Sequence, residues 1–196
     1  HIANSAYHTY NIDVPHMANE MKKFIDKVER QNGLTKDEYA DKLLFMSHET
    51  YTPARGGSAD AEVTALQTAF SSYLDRICIS NTKGFTGHTL GAAIEDVVLV
   101  KALQERKAPP IANLSKIPSH FSRLNFSGQD KIDSEYGFHL AAGFGSHFAF
   151  MFVKRIQENS VESNPAFNQW LQQITNASTP ELKIIDNMLC AVADPS

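Results

Sequence analysis

Cysteine is scarce in this sequence, with only Cys78 and Cys190 among 196 residues. Two cysteines cannot form the disulfide framework of a small secreted domain, and neither lies in a pattern with metal-ligand spacing. We therefore expect a reducing, cytoplasmic environment and no metal site.

Long hydrophobic runs and basic runs are also missing. No apolar stretch approaches the roughly 20 residues needed to cross a bilayer, and no segment resembles a signal peptide. The 18 Lys and Arg residues against 22 Asp and Glu residues give a net charge of −4, without a basic run that could neutralise a row of phosphates. Neither a membrane nor a nucleic acid is expected as a partner. The chain begins with His1 rather than methionine, which suggests a piece of a longer protein.

Helical and strand-like patterns alternate through the first 156 residues. Amphipathic helical spacing begins after Asp13, near Val63 and near Thr89, and short apolar runs occupy Leu43–Met46, Ile77–Ile79, Phe138–Ala142 and Phe148–Val153. The last two runs flank a glycine-containing turn and predict a hairpin. This order is typical of a layered α/β domain with a mixed β-sheet flanked by helices.

Two helices have predicted buried faces. The first should begin at the Asp13 cap, end at Gly33 and bury Met17, Met21, Phe24, Ile25 and Val28. The third should bury Leu90, Ala93, Val97, Val100 and Leu103 and end before Pro109. From residue 157 the composition is polar, and we predict a linker over 157–196 with one or two short helices.

Two histidines and a lysine follow the predicted strands. His48 follows the run Leu44 to Ser47, and Lys83 and His88 lie in the loop after Ile77–Ile79. Ligands bind at the carboxyl ends of strands in layered α/β sheets, so these side chains can converge on one substrate. Two imidazole donors in a dry pocket can stabilise an oxyanion or enolate. A buried Lys83 would need a carboxylate, and Glu62 is the nearest candidate in sequence.

A structural role is equally compatible with this pattern. A single histidine at a strand end is more often a hydrogen-bonded structural residue than a catalyst. The spacing alone therefore does not decide between a catalytic and a structural site.

Three segments resemble the C-terminal signatures of β-ketoacyl-acyl carrier protein synthases, the ketosynthases. They are HETYTP at 48–53, NTKGFTGHTLGAA at 81–93 and AAGFGSHFAF at 141–150. They lie in the family's order and at its spacing, and the resemblance extends from Tyr7 to Arg155. It is most similar to ketosynthase domains of multidomain polyketide and polyunsaturated fatty-acid synthases. The resemblance implies the C-terminal half of a thiolase-like fold over residues 1–156, followed by a post-ketosynthase linker over 157–196.

The family is known for decarboxylative Claisen condensation of malonyl-acyl carrier protein with an enzyme-bound acyl thioester. The resemblance implies that His48 and His88 promote decarboxylation and stabilise the enolate. It makes Lys83 the active-site lysine and Glu62 its buried ionic partner.

Three further residues acquire roles from the resemblance. Phe144 would supply a backbone N–H to the oxyanion hole and gate the acyl pocket with its ring. Thr50 and Thr52 would contact the pantetheine arm. Glu49 replaces the glycine that usually follows the first histidine, a departure from the family sequence next to the expected pantetheine contacts.

A condensing enzyme also needs an activated thiolate. Cys78 lies inside an apolar strand and is expected to be a core residue, and Cys190 lies in the polar tail. The family's nucleophile belongs to the N-terminal half, so we expect this chain to be an acyltransferase only as part of a longer protein and inactive alone.

The implied partners are that N-terminal half, an acyl carrier protein and a second copy in a homodimer. No cofactor is expected besides the carrier's phosphopantetheine arm. One alternative is a non-catalytic homologue that acts as a scaffold, like a chain-length factor, although both histidines are retained. The other is the thiolase branch, which places a second cysteine where the His88 turn would not fit.

Overall fold

The structure is a computed structural model that describes residues 1–5, 11–50, 58–88, 91–112, 114–128, 132–156, 165–186 and 188–192. Contacts divide the chain into two compact units, His1–Arg155 and Ile156–Ser196. The sequence places its boundary one residue later, after position 156. Within the described ranges, no helix combines the length and apolarity that crossing a membrane requires.

The first unit contains five helices and six strands in its described residues. The helices are α1 (Val14–Asn32), α2 (Lys36–Tyr39), α3 (Ser58–Phe70), α4 (Lys83–Thr86) and α5 (Gly91–Glu105). The strands are β1 (Ile2–Asn4), β2 (Leu43–Met46), β3 (Cys78–Ser80), β4 (Asn125–Phe126), β5 (Tyr136–Gly143) and β6 (His147–Lys154). Short 3-10 turns lie at Ala40–Lys42, Ser71–Arg76 and Ser119–Phe121.

The six strands form one mixed sheet in the order β1-β6-β5-β2-β3-β4. Strand β2 pairs in parallel with both β5 and β3, and β3 pairs in parallel with β4. Strand β6 pairs antiparallel with β5 and β1. The carboxyl ends of β2, β3 and β5 therefore meet at one edge of the sheet.

Each face of the sheet carries its own hydrophobic cluster. Alternate residues of a strand point to opposite faces, and β2 follows this rule throughout. Leu43 and Phe45 pack in the larger cluster with α1 and α3, while Leu44 and Met46 pack in a smaller cluster with α5. The predicted layered α/β fold, a mixed sheet between helices, is confirmed.

Helix α1 forms as its sequence predicts. The Asp13 side chain accepts a hydrogen bond from the His16 N–H at 3.1 Å and caps the first turn, and Gly33 ends the helix with a positive φ of 63°. The predicted apolar face is buried: Met17, Met21, Phe24, Ile25 and Val28.

The prediction for the buried face of α5 is only partly correct. Leu103 is buried as predicted, and Leu90 lies outside the described residues. Ala93 is exposed, and Val97 and Val100 are 60% and 51% exposed, whereas Glu95, Leu99 and Ala102 are buried. Because Glu95 lies on the buried face, that face does not have a purely apolar pattern, and apolar spacing does not identify it. The structural reason for burying Glu95 lies in the site described below.

The β5–β6 hairpin matches its prediction. Its turn uses left-handed backbone at Gly145 and Ser146, with φ of 78° and 56°. Ser146 is the less usual residue there, and its hydroxyl accepts a hydrogen bond from the Asp13 N–H at 2.8 Å.

The second unit contains one helix and one strand pair in its described residues. Helix α6 spans Pro165–Thr175, and strands β7 (Glu181–Ile185) and β8 (Met188–Val192) pair antiparallel. All five residues of β7 are exposed. A short helix was predicted here, but the strand pair was not.

Candidate active site

Two loops leave the same edge of the sheet. Ser47 and His48 follow β2, and Asn81 and Thr82 lead from β3 into α4. The Ser47 N–H donates to the Ser80 carbonyl at 2.8 Å, which extends the ladder beyond the strands. The parallel pairing thus delivers both predicted histidine loops to one place.

The rings of His48 and His88 lie 5.8 Å apart between centroids, at an interplanar angle of 70°. His48 is half-buried, and its Nδ1 atom is buried without a hydrogen-bond partner in the described part of the chain. His88 is exposed. Burial, followed by the positive charge of Lys83, lowers the pKa of His48 to about 4. The His48 imidazole is therefore neutral near pH 7 and can donate one hydrogen bond.

Lys83 is buried, with only 3% of its side chain exposed, and its Nζ contacts Glu95 Oε1. The carboxylate partner is therefore Glu95 from α5, and the predicted Glu62 pairing is wrong. Helix α3, which carries Glu62, packs on the opposite face of the sheet from α5. The short sequence distance between Glu62 and Lys83 did not show that α3 and α5 lie on opposite faces of the sheet.

Glu62 instead holds the His48 loop. Its carboxylate accepts hydrogen bonds from the Ser47 hydroxyl at 2.6 Å and from the His48 backbone N–H at 2.8 Å. Burial raises the pKa of Glu62 to about 7, although both hydrogen bonds act in the opposite direction. The side chain therefore fixes the backbone that carries the first histidine.

Asn81 joins the two loops, a role that the sequence analysis missed. Its amide nitrogen donates to the Ser47 carbonyl at 3.2 Å and to the Glu49 carbonyl at 2.8 Å. Its amide oxygen accepts from the Lys83 backbone N–H at 2.8 Å. Its position at the head of NTKGFTGH, directly after a strand, was the available signal.

A buried histidine on β5 was also missed. His139 Nε2 lies 3.1 Å from Glu95 Oε2, and Nδ1 lies 2.6 Å from Asp96 Oδ1. Among the described residues, no group of three or more His, Cys, Asp or Glu side chains could hold a metal ion. His139 lies within the apolar run of β5, and its partners Glu95 and Asp96 belong to α5, which is distant in sequence. The sequence pattern therefore did not indicate this cluster.

The structure locates two of the other three predicted site residues. Phe144 lies in the β5–β6 turn, at the same sheet edge as His48, and is 70% exposed. Thr50 is half-buried two residues after His48. Thr52 lies outside the described residues.

The two cysteines differ in setting. Cys78 belongs to the smaller hydrophobic cluster, as the sequence predicted, and burial raises the pKa of its thiol to about 11. A thiol held in this neutral form is a poor nucleophile. Cys190 lies on β8 in the second unit, with intermediate exposure.

A family model described as "Beta-ketoacyl synthase, C-terminal domain" matches residues 43–115. This range contains both histidine loops, Lys83 and Glu95. This part of the chain is similar to the C-terminal domain of β-ketoacyl synthases. The predicted resemblance to ketosynthases is thereby confirmed.

Curated β-ketoacyl synthase relatives match part of the chain. The 3-oxoacyl-[acyl-carrier-protein] synthase 2 of Coxiella burnetii is 32% identical over 101 residues, which cover 50% of this chain and 23% of the relative. The enzyme of that name from Synechocystis sp. is 32% identical over 114 residues, which cover 57% of this chain and 27% of the relative. The matched part thus spans about a quarter of these relatives' length.

Solved ketosynthase structures share the fold. A β-ketoacyl synthase from Burkholderia phymatum superposes with a TM-score of 0.65 at 22% identity, over 80% of this chain and 36% of that one. Ketosynthase twelve of the bacillaene polyketide synthase from Bacillus amyloliquefaciens superposes with a TM-score of 0.62 at 16% identity, over 93% and 36%. A type II polyketide ketosynthase in complex with its acyl-carrier protein gives 0.61 at 18% identity, over 79% and 37%. These matches confirm the predicted C-terminal ketosynthase fold.

Proposed function

We propose that this chain supplies the decarboxylation and enolate-stabilising groups of a β-ketoacyl synthase. The observation that carries the proposal is the 5.8 Å separation of the His48 and His88 rings at the ends of adjacent parallel strands. At that separation both imidazoles can reach one small carbonyl oxygen. The match of residues 43–115 to the β-ketoacyl synthase C-terminal domain supports the same conclusion.

The reaction forms a carbon-carbon bond and releases carbon dioxide. A malonyl thioester on an acyl carrier protein loses its carboxylate as CO₂, and the electron pair of the broken bond forms an enolate. Donors from His48 and His88 stabilise the enolate oxygen. The enolate carbon attacks the acyl thioester, and the enzyme thiolate leaves.

Other predicted residues support this chemistry. In this proposal the Phe144 backbone N–H binds the oxyanion formed on the acyl thioester, and Thr50 and Thr52 contact the phosphopantetheine arm. Burial, together with the positive charge of Lys83, keeps His48 in the uncharged state in which it donates one hydrogen bond. Glu95 pairs with the buried Lys83. No other cofactor is needed.

The thiol that carries the acyl chain comes from a different segment in this proposal. Cys78 is buried in a hydrophobic cluster, so it does not serve this role. We infer that the N-terminal half of a ketosynthase supplies the nucleophile, that an acyl carrier protein delivers the substrate, and that the whole enzyme is a homodimer in the cytoplasm. The non-catalytic scaffold is not favoured, because His48, His88 and Lys83 are all present.

His88→Ala tests the proposed function. The chain is combined with the N-terminal half of a ketosynthase, and β-ketoacyl product from acyl and malonyl carrier proteins is followed by mass spectrometry. We expect His88→Ala to reduce condensation by about 10²-fold or more, because a preorganised donor to the enolate is lost. The unmutated 196-residue chain should form no product alone.

His120→Ala is the matched control. His120 is exposed and pairs with Asp60 on the surface, so its removal should leave product formation unchanged. Equal activity of the His88 variant and the unmutated protein would contradict the proposal, and so would elongation by the chain alone.

A further inference from the structure

His139 is held between two carboxylates of α5. It lies on β5, where its backbone neighbours in the sheet are Met46 of β2 and Met151 of β6. Its side chain is 2% exposed, and its two ring nitrogens lie 3.1 Å and 2.6 Å from Glu95 and Asp96 oxygens. Helix α5 supplies both carboxylates beside it, and Lys83 of α4 contacts Glu95.

The hydrogen-bond geometry determines the protonation of this imidazole. A carboxylate offers only acceptor oxygens, so each ring nitrogen that faces one must carry a proton. Burial acts to raise the pKa of Glu95, but hydrogen bonds from His139 and Lys83 outweigh it and hold the pKa below its usual value. Asp96 is 39% exposed and keeps contact with water. An imidazolium satisfies both contacts, and a neutral imidazole satisfies only one.

The charge balance of the cluster supports the same state. Lys83 and an imidazolium at His139 provide two positive charges against the negative charges of Glu95 and Asp96. A neutral His139 would leave one excess negative charge beside three side chains that are at most 3% exposed. An uncompensated charge at such a site is costly.

The charged side chains of this cluster act electrostatically on His48, one of the two proposed catalytic histidines. Besides burial, the charges of Lys83, His88 and His139 lower the pKa of His48, whereas Glu95 raises it. Glu95 also connects His139 directly to Lys83, since one carboxylate oxygen contacts each of them. The β5 side chain therefore acts on His48 without touching it.

We propose that His139 is a positioning residue of this site: as an imidazolium between Glu95 and Asp96 it orients the carboxylate that holds Lys83. The link to catalysis rests on the function proposed above. The effect of His139 on the titration of His48 is independent of that function, and it can be measured in the 196-residue chain alone.

His139→Asn tests the inference by nuclear magnetic resonance of ¹⁵N-labelled histidine. In the unmutated chain, both His139 nitrogens should show imidazolium shifts near neutral pH. In the variant, the midpoint of the His48 titration should move slightly upward from about 4, because a positive charge is lost while both carboxylates remain and the burial of His48 is unchanged. A neutral His139 in the unmutated chain, or an unmoved His48 midpoint, would overturn the inference.

Asp96→Asn is a second variant in case His139→Asn fails to fold. Asp96 is partly exposed, so its amide should be tolerated. The asparagine amide can donate to Nδ1, and we expect His139 to lose one proton and show a neutral imidazole near pH 7. If both His139 nitrogens remain protonated in this variant, the two carboxylates are not what keeps His139 in the imidazolium form, and the inference is wrong. His120→Asn, which removes an exposed histidine–aspartate pair, should change neither signal.

The condensation assay separates this inference from the proposed function. If the resonance results hold and His88→Ala has no effect on product formation, the function is wrong and the positioning role of His139 stands. If condensation occurs as proposed, His139→Asn should raise the pH of the acidic limb of the rate profile.

Discussion

The site depends on a few buried polar residues whose partners lie far away in sequence. Glu62 reaches Ser47 and His48 from α3, and Glu95 reaches Lys83 and His139 from α5. The sequence identified the histidines and the lysine because each follows an apolar run. It assigned Glu62 instead of Glu95 to the lysine, because distance along the sequence does not show which face of the sheet a helix covers.

Glu62→Gln should make stability less dependent on pH. The folded-state pKa of Glu62 is raised from 4.5 to about 7, so the folded protein holds this proton more tightly than the unfolded chain. The unfolding free energy therefore falls as pH rises through that window and stays lower above it. The size of the shift corresponds to a loss of roughly 3 kcal/mol.

Urea unfolding on both sides of that pH window measures the effect. The Glu62→Gln variant should lose this part of the pH slope, whereas Glu38→Gln, at an exposed carboxylate, should keep most of it. An unchanged slope in the Glu62 variant would show that its proton is not held by the fold.

At the level of elements, the short helix α4 positions Lys83 and must pass close to another segment. A Cβ added at Gly84 would lie 2.4 Å from the Ala112 Cβ, which is closer than real Cβ contacts allow. Ala112 has no flexible end that could move away. The glycine thus lets α4 lie against the segment that follows α5.

Gly84→Ala should lower the free energy of unfolding by about 1–3 kcal/mol, as expected for overpacking. It should also shift the His88 resonances, since His88 lies just beyond Gly87, which caps the end of α4. Gly143→Ala is the matched control, because its added Cβ would meet only His147 Cβ at 3.8 Å. Equal stability of the two variants would contradict this account of Gly84.

Elements with simple periodicity were predictable, and elements with a polar inner face were not. The apolar spacing of α1 and the glycine-bearing turn of the β5–β6 hairpin gave the correct structures. The exposed face of α5 misled the prediction, because Val97 and Val100 have helical spacing but lie outside the core. Strands β1 and β4 are too short, at three and two residues, to leave a recognisable pattern.

The whole molecule consists of two units with very different burial. The first contains both hydrophobic clusters and the site. The second has a fully exposed β7 and a helix with one buried residue, Leu171. A two-stranded hairpin is marginally stable at best in water, so the second unit should be the weaker one.

Unfolding in urea should therefore occur in two steps. Trp170 is the only tryptophan and lies in α6, so its fluorescence reports the second unit. Far-UV circular dichroism reports mainly the long helices of the first unit. We expect the fluorescence transition at lower urea than the dichroism transition, and superimposable curves would show one cooperative unit instead.

The two carboxylates that hold the histidine loops come from opposite layers of the sheet. Glu62 belongs to the layer of α1 and α3, and Glu95 belongs to the layer of α5. Positions intolerant of substitution should therefore not form one patch around the cleft. They should extend through the thickness of the domain, and selection for activity would constrain both layers at once.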